Sequence, residues 1–119
     1  MSSHSRPFTA DVRAVDPVAI IDLHGEINGA ADEALSAAYA QAAALDTPTV
    51  LLNFADVSYI NSTGIALIVG LLAQARKAKR SLATCGLSDH YAEIFRITRL
   101  SDVMSILPDE ATALAAVRE

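Results

Sequence analysis

Residues 18–23 (Val-Ala-Ile-Ile-Asp-Leu) form a nearly continuous apolar, β-branched run with no alternation. An alternating strand keeps one wet face. A continuous run fits a central strand buried on both faces, as in sheets covered by helices. A second such run follows at Thr49–Ala55 (Thr-Val-Leu-Leu-Asn-Phe-Ala). Between them Ala31, Leu35, Ala38, Ala42 and Leu45 recur at helical spacing, and Thr47-Pro48 ends the period. Strand, helix and second buried strand imply a right-handed crossover and parallel pairing.

The flanks extend this pattern. Phe8, Ala10, Val12 and Ala14 alternate, so residues 7–14 read as a half-buried strand. Asp16-Pro17 is a turn, and the two strands make an antiparallel hairpin. Gly25–Gly29 breaks the second strand. Asn28 is placed to cap the helix that follows, with Asp32 and Glu33 near its positive end. Residues 56–63 read as a polar loop. Gly64–Arg80 is helical, with Ile65, Ile68, Leu71, Leu72 and Ala75 as the core stripe. Ala66, Gly70, Ala73, Gln74 and Lys77 lie on the opposite side. Short strands are expected at Ser81–Gly86 and Val103–Leu107. Ser88 or Asp89 caps a helix over Tyr91–Ile97, with Ile94 and Ile97 inward. Pro108 suits the first turn of a last helix, where its missing N–H has no bond to make. The order is β-β-α-β-α-β-α-β-α. The fold class is α/β: a small, mixed, mostly parallel sheet with an antiparallel N-terminal edge strand and about four helices.

At 119 residues the chain has room for one domain, expected over 7–119 behind a flexible tail at 1–6. Aromatics are only 5% of a chain that is 52% hydrophobic, because much of the apolar content is Ala. That suits helices packed closely on a flat surface. A net charge of −5 argues against nucleic acid as a partner. The apolar run Gly64–Ala73 is too short to span a bilayer, and no signal-peptide stretch opens the chain. One cysteine, Cys85, excludes an internal disulfide and a multi-cysteine metal site. The expected location is cytoplasmic.

The stretch that carries chemistry is Asp56-Val57-Ser58-Tyr59-Ile60-Asn61-Ser62-Thr63-Gly64, where a strand gives way to a helix N-terminus. Free N–H groups and the helix dipole favour an anion there. A hydroxyl at this point is either a plain cap, worth about 1 kcal/mol, or a phosphoryl acceptor. The residues alone do not choose between them.

The whole chain resembles the STAS domain family, and within it the free-standing anti-sigma factor antagonists of bacteria. Leu23-His24-Gly25-Glu26-Ile27-Asn28 is similar to the family's "L-x-G-E-[IL]-D". Asp56–Gly64 is similar to "D-[VL]-S-x-[IM]-D-S-[ST]-G". The resemblance implies that Ser62 is a regulatory phosphorylation site. Thr63 is the second candidate and an alternative helix cap. It implies as partner an anti-sigma factor with serine-kinase activity. Binding frees the sigma factor, phosphorylation ends binding, and a PP2C-like phosphatase restores it. An uncharged Ser62 lies flush against a partner, whereas a phosphate adds charge that must be desolvated. The implied partner-binding surface comprises Glu26, Asn28, Asp56, Ser58, Asn61, Ser62, Thr63, Gly64, Ala66 and Gly70. Asn28 and Asn61 depart from the pattern, which has Asp at both. Asn keeps the shape and removes two charges beside an intact Ser62-Thr63-Gly64.

Plainer roles are expected elsewhere: tight turns at Gly25 and Gly29, a turn at Asp56, a loop hydrogen bond at Ser58, burial of Cys85. His4, His24 and His90 show no ligand spacing and no carboxylate constellation. No metal or cofactor is expected, and any ATP belongs to the partner. Arg76, Lys77, Lys79 and Arg80 complement a helix C-terminus. A non-switching STAS subunit, as in phospholipid-transport ABC complexes, is the alternative reading. An enzyme would need His24 as its base and lacks a positioned third group. A monomer is the expected state. Residues 14–75 hold seven acids (Asp16, Asp22, Glu26, Asp32, Glu33, Asp46 and Asp56) and no Lys or Arg, so this half is expected to steer a basic partner surface.

Overall fold

The structure is a computed structural model and describes residues 6–118. Strand β1 (Thr9–Val15) turns at Asp16-Pro17 into β2 (Val18–Ile27), and the two pair antiparallel from Val15↔Val18 to Thr9↔His24. Helix α1 (Asp32–Ala44) leads to β3 (Thr49–Ile60), parallel to β2. Then come α2 (Ser62–Lys77), β4 (Ser81–Cys85), α3 (Asp89–Ile97), β5 (Ser105–Leu107) and α4 (Glu110–Arg118). The sheet order is β1-β2-β3-β4-β5.

The continuous apolar run is explained by its two faces. Ala19, Ile21 and Leu23 of β2 join Val50, Leu52 and Phe54 of β3 under α1, α2 and α3. Val18, Ile20 and Leu51 face the other way, with Ala83, Cys85 and Ala113 of α4. Ala38 and Ala42 are buried on α1, where small side chains allow close approach to the sheet. Phe54 and Phe95 meet edge to face at 6.0 Å between centroids. The thiol of Cys85 is buried, as expected, and burial pushes it up to about 11.

Several boundaries differ from expectation. β2 does not break at Gly25 but runs on to Ile27. Gly25 has a φ of 90°, and the shift in pairing register beside it absorbs the irregularity. Residues 56–60 are not a loop. They complete β3, and α2 begins at Ser62 rather than Gly64 and ends at Lys77 rather than Arg80. The polar residues here are exposed, while Val57 and Ile60 pack on the core. Ile97 is 64% exposed rather than inward, because Phe95 takes the buried place on α3. Pro108 lies before the last helix, not in its first turn. Asp109 caps that helix, accepting from the Thr112 N–H at 2.8 Å. Residues 100–102 form a 3-10 turn, so β5 is shorter than expected. Of the expected tail, residues 1–5 lie outside the described residues. Arg6 is held by β2, its carbonyl accepting from the Glu26 N–H at 3.2 Å.

Candidate functional site

The site is built where β2 and β3 end together. Ile27 pairs with Ile60, and the Asn61 N–H donates to the Ile27 carbonyl at 3.2 Å. Beyond this last rung both chains turn into helical structure. Asn28 is extended, and its Oδ1 accepts from the Ala30 N–H at 3.0 Å, capping a 3-10 turn at Gly29–Ala31. It therefore caps this turn rather than α1 itself. Asn61 is also extended, and its Oδ1 accepts from the Gly64 N–H at 2.8 Å. The cap of α2 is thus Asn61, not Thr63 and not Ser62. Both hydroxyls are left over from the capping role and are exposed in the first turn.

Gly64 fixes this arrangement. A Cβ there would fall 2.1 Å from the Ile27 carbonyl oxygen, so only glycine lets α2 approach the end of β2. Gly64 is consequently buried and presents nothing to a partner. Thr63 lies over the other helical start, its Cγ2 3.5 Å from where a Cβ on Gly29 would stand. Gly29 lies in a tight 3-10 turn, as expected, but without a positive φ; Gly25 has one, within a strand rather than a turn. The end of β3 is pinned from α3, where the Tyr91 hydroxyl accepts from the Ile60 N–H at 2.9 Å. Tyr91 has no counterpart in the sequence reading.

Glu26 is half-buried and pairs with Tyr59, which is 49% exposed. Ser58 is exposed in β3 at the shift in register, not in a loop. Along α2, Ala66 and Gly70 are exposed. The space a Cβ of Gly70 would enter is empty out to 4 Å. With Ala73 they make a flat, small-residue face that leads away from Ser62.

Asp56 is not a turn former. It is exposed on β3, accepting from Arg6 at 2.9 Å and bonded to His24 Nδ1 at 2.8 Å. His24 Nε2 lies 3.3 Å from Asp11 on β1. The sequence reading gave His24 no carboxylate partners; strand pairing supplies two. The Asp56 hydrogen bond is the main cause that raises His24 above the usual histidine range, and partial desolvation opposes it. Arg6 first, and then His24, hold Asp56 below the usual carboxylate range. Both ring nitrogens of His24 face carboxylates. Among the described residues no group of three His, Cys, Asp or Glu is disposed to hold a metal ion.

The acidic half is less acidic in three dimensions. Asp22 binds Arg13 through two hydrogen bonds, Asp56 binds Arg6, and Asp46 lies 3.5 Å from Arg80. These cations come from outside residues 14–75 and answer three of the seven acids. Arg80 also donates to the Thr47 carbonyl at 2.9 Å, which closes the crossover after α2. Among the described residues no helix is long and apolar enough to cross a membrane.

Known proteins share this architecture. Residues 9–113 match the family model of the STAS domain. The "Anti-sigma-B factor antagonist" of Staphylococcus aureus is 37% identical over 60 residues, which are 50% of this chain and 56% of that protein. The match thus spans little more than half the length of that curated relative. The crystal structure of an anti-sigma factor antagonist from Mycobacterium paratuberculosis superposes with a TM-score of 0.82 at 21% identity, covering 95% of this chain and 96% of that one. The Bacillus cell fate determinant SpoIIAA, solved in its phosphorylated form, superposes with a TM-score of 0.69 at 21% identity, covering 93% and 99%. The sheet order, the capped start of α2 and the matched span together show that the chain belongs to the STAS domain family.

Proposed function

We propose that this chain is an anti-sigma factor antagonist that works in the cytoplasm without catalysis of its own. Its Ser62 face binds an anti-sigma factor with serine-kinase activity and so frees a sigma factor. Phosphorylation of Ser62 ends that binding, and a PP2C-like phosphatase restores it. The observation that carries this reading is the freeing of Ser62 from capping duty. Asn61 closes the helix, Gly64 locks it to β2, and an exposed hydroxyl is presented at the N-terminus of a sixteen-residue helix. A phosphate placed there in the free protein faces backbone N–H groups and the positive helix end. In a complex the same phosphate would have to be desolvated against the partner. The switch follows from that difference between free and bound states.

The small-residue face of α2 supports the same reading. Glycine in mid-helix costs roughly 1 kcal/mol relative to alanine. Nothing inside this chain requires Gly70, since the space beside it is open. A partner lying close along Ala66, Gly70 and Ala73 gives it a use. The partner-binding surface is then Glu26, Asn28, Asp56, Ser58, Asn61, Ser62, Thr63, Ala66 and Gly70, with Gly64 as its internal support. The names of the related proteins point the same way, and the phosphorylated Bacillus structure is a precedent for a phosphoryl group on this fold.

The test is incubation with the cognate anti-sigma kinase and ATP, followed by mass spectrometry of the 60–80 region. One phosphate on Ser62, and none in Ser62→Ala, is expected. A Ser62→Ala protein that ATP releases from the kinase as readily as wild type would remove Ser62 from the switch.

A further inference from the structure

We propose that the cavity at the opposite end of α2 from Ser62 binds a phosphate monoester with an apolar body, its phosphate held by Arg76, Lys79 and Arg80. The proposal does not depend on the antagonist reading.

The cavity holds about 670 Å³ between the last turn of α2, the start of β4 and residues 101–106. It lies roughly 22 Å along the helix from Ser62. One side chain does not fill that volume; small-molecule sites occupy roughly 300–1,000 Å³. Its chemistry is divided. Leu72, Leu82, Met104 and Ile106 supply apolar surface. Arg76, Lys79 and Arg80 line the same cavity, and Ser81 and Ser105 add hydroxyls where β4 and β5 begin. The carboxylate in the lining, Asp102, is already bound by Arg99 Nε at 2.6 Å. Three cations beside two hydroxyls exceed what a carboxylate can use. A phosphate monoester brings three acceptor oxygens and close to two charges.

The helix dipole accounts for Arg76 and Lys77 in the last turn, but not for Lys79. Helix α2 closes with paired bonds. The Lys79 N–H donates to the Arg76 carbonyl at 3.0 Å, and the Arg80 N–H to the Ala75 carbonyl at 2.8 Å. This closure puts Lys79 in the left-handed region, at φ 58°, where glycine is the unstrained residue. Among the described residues Asp46 and Arg99 are the other non-glycine positions with positive φ. Each of those has an ion-pair partner, Arg80 at 3.5 Å and Asp102 at 2.6 Å. Arg76 and Lys79 enter no ion pair among the described residues. A lysine thus stands at a glycine position with its charge unanswered inside the chain, and an external anion answers it. Arg80 is ordered in advance, its Nε donating to the Thr47 carbonyl at 2.9 Å, so the ligand need not immobilise it.

The test titrates the isotope-labelled full chain with hexyl phosphate, with inorganic phosphate and hexan-1-ol as controls. Saturable amide shifts at Leu72, Lys79, Leu82 and Met104 are expected with hexyl phosphate. Both controls are expected to bind at least about tenfold more weakly, since each offers half of the chemistry. Arg76→Gln is expected to weaken hexyl phosphate about tenfold. Lys79→Gly is expected to do the same while unfolding at a higher urea concentration, because glycine relieves the left-handed backbone. Loss of binding in that variant is then not loss of folding. A lower urea midpoint for Lys79→Gly overturns the claim that the lysine is kept there for a ligand. No saturable shift at these amides, equal binding of hexyl phosphate and either control, equal binding by wild type and either variant, or shifts centred on Ser62–Ile65 each overturn the site. Sedimentation with phosphatidylcholine vesicles carrying phosphatidic acid separates two sources of the ester. Sedimentation that Lys79→Gly abolishes assigns it to a lipid headgroup. A chain that stays in solution, or sediments regardless of Lys79, assigns it to a free ester. None of these readouts involves the kinase, so failure here leaves the antagonist reading standing.

Discussion

Gly64 and the carbonyl of Ile27 are in such close contact that a Cβ on residue 64 would fall 2.1 Å from the oxygen. The clash is with backbone at the last rung between β2 and β3, so no rotamer change relieves it. Gly64→Ala is expected to destabilise the protein by about 2–3 kcal/mol through the forced separation of α2 from β2. Urea denaturation checks this; an unchanged midpoint would mean that the helix start is free to shift. The same variant tests whether presentation of Ser62 depends on that contact, through loss of phosphorylation under conditions where the variant is folded.

The His24–Asp56 pair gives a pH dependence with a definite sign. His24 is raised above its ordinary 6.5, chiefly by the hydrogen bond to Asp56. Its contribution to stability is then fully present below pH 6.5, and it is lost as pH rises through the folded-state value. Asp56 is held below its ordinary 3.8, by Arg6 first and His24 next. Its contribution is present above pH 3.8 and is lost as pH falls through the depressed value. Proton NMR titration of the His24 ring should show the raised value. Asp56→Asn should lower it toward the ordinary range, and Asp11→Asn should lower it less, because Asp56 dominates the shift. A His24 that titrates identically in all three proteins would place the ring away from both carboxylates.

Much of this was legible in the chain, and the part that was not has separate physical causes. The element order follows from periodicity, and so does the burial of β2 on both faces. Phe8, Ala10 and Val12 pack on the core as their alternation requires. The junction at Asp56–Gly64 was found from its residues, but not its conformation. Its polar residues suggested a loop because their side chains are exposed although they lie in a strand, and the shifts in register break the two-residue period. The environment of His24 was illegible for a different reason. Asp11 and Asp56 reach it from the neighbouring strands on either side, so only the register of β1, β2 and β3 reveals the cluster. The same holds for Arg6 on Asp56. Local sequence can name a capping residue, but three candidates compete at Asn61-Ser62-Thr63, and the extended backbone at Asn61 selects one.

Gly70 separates stability from function. An alanine there meets no atom of this chain within 4 Å. Gly70→Ala is therefore expected to raise stability by about 0.5–1 kcal/mol, through helix propensity alone. The same methyl group lies on the face assigned to the partner, and affinity for the anti-sigma factor is expected to fall by about tenfold, the cost of overpacking a close contact by one carbon. Chemical denaturation and calorimetric titration of the same preparation check the two effects. Higher stability with unchanged affinity would remove Gly70 from the interface.

Asn61 is the residue whose charge the phosphorylation model most directly tests. Its Oδ1 already caps α2 through the Gly64 N–H. Asn61→Ala should cost about 1 kcal/mol for the lost cap. Asn61→Asp should keep that hydrogen bond and gain about 0.3–1 kcal/mol, from a negative charge at the positive helix end. The order reverses once Ser62 carries phosphate. In the wild type the neutral amide leaves the helix end to the phosphate, so phosphoserine at 62 should raise stability. In Asn61→Asp two anions crowd one turn, and phosphoserine should lower it. Urea denaturation of the four proteins, wild type and Asn61→Asp each with serine or site-specifically installed phosphoserine, measures this as a double-mutant cycle. Additive effects in that cycle would place the phosphate out of reach of residue 61. The model of a phosphate held by the free protein's own helix would then fail, even with Ser62 modified.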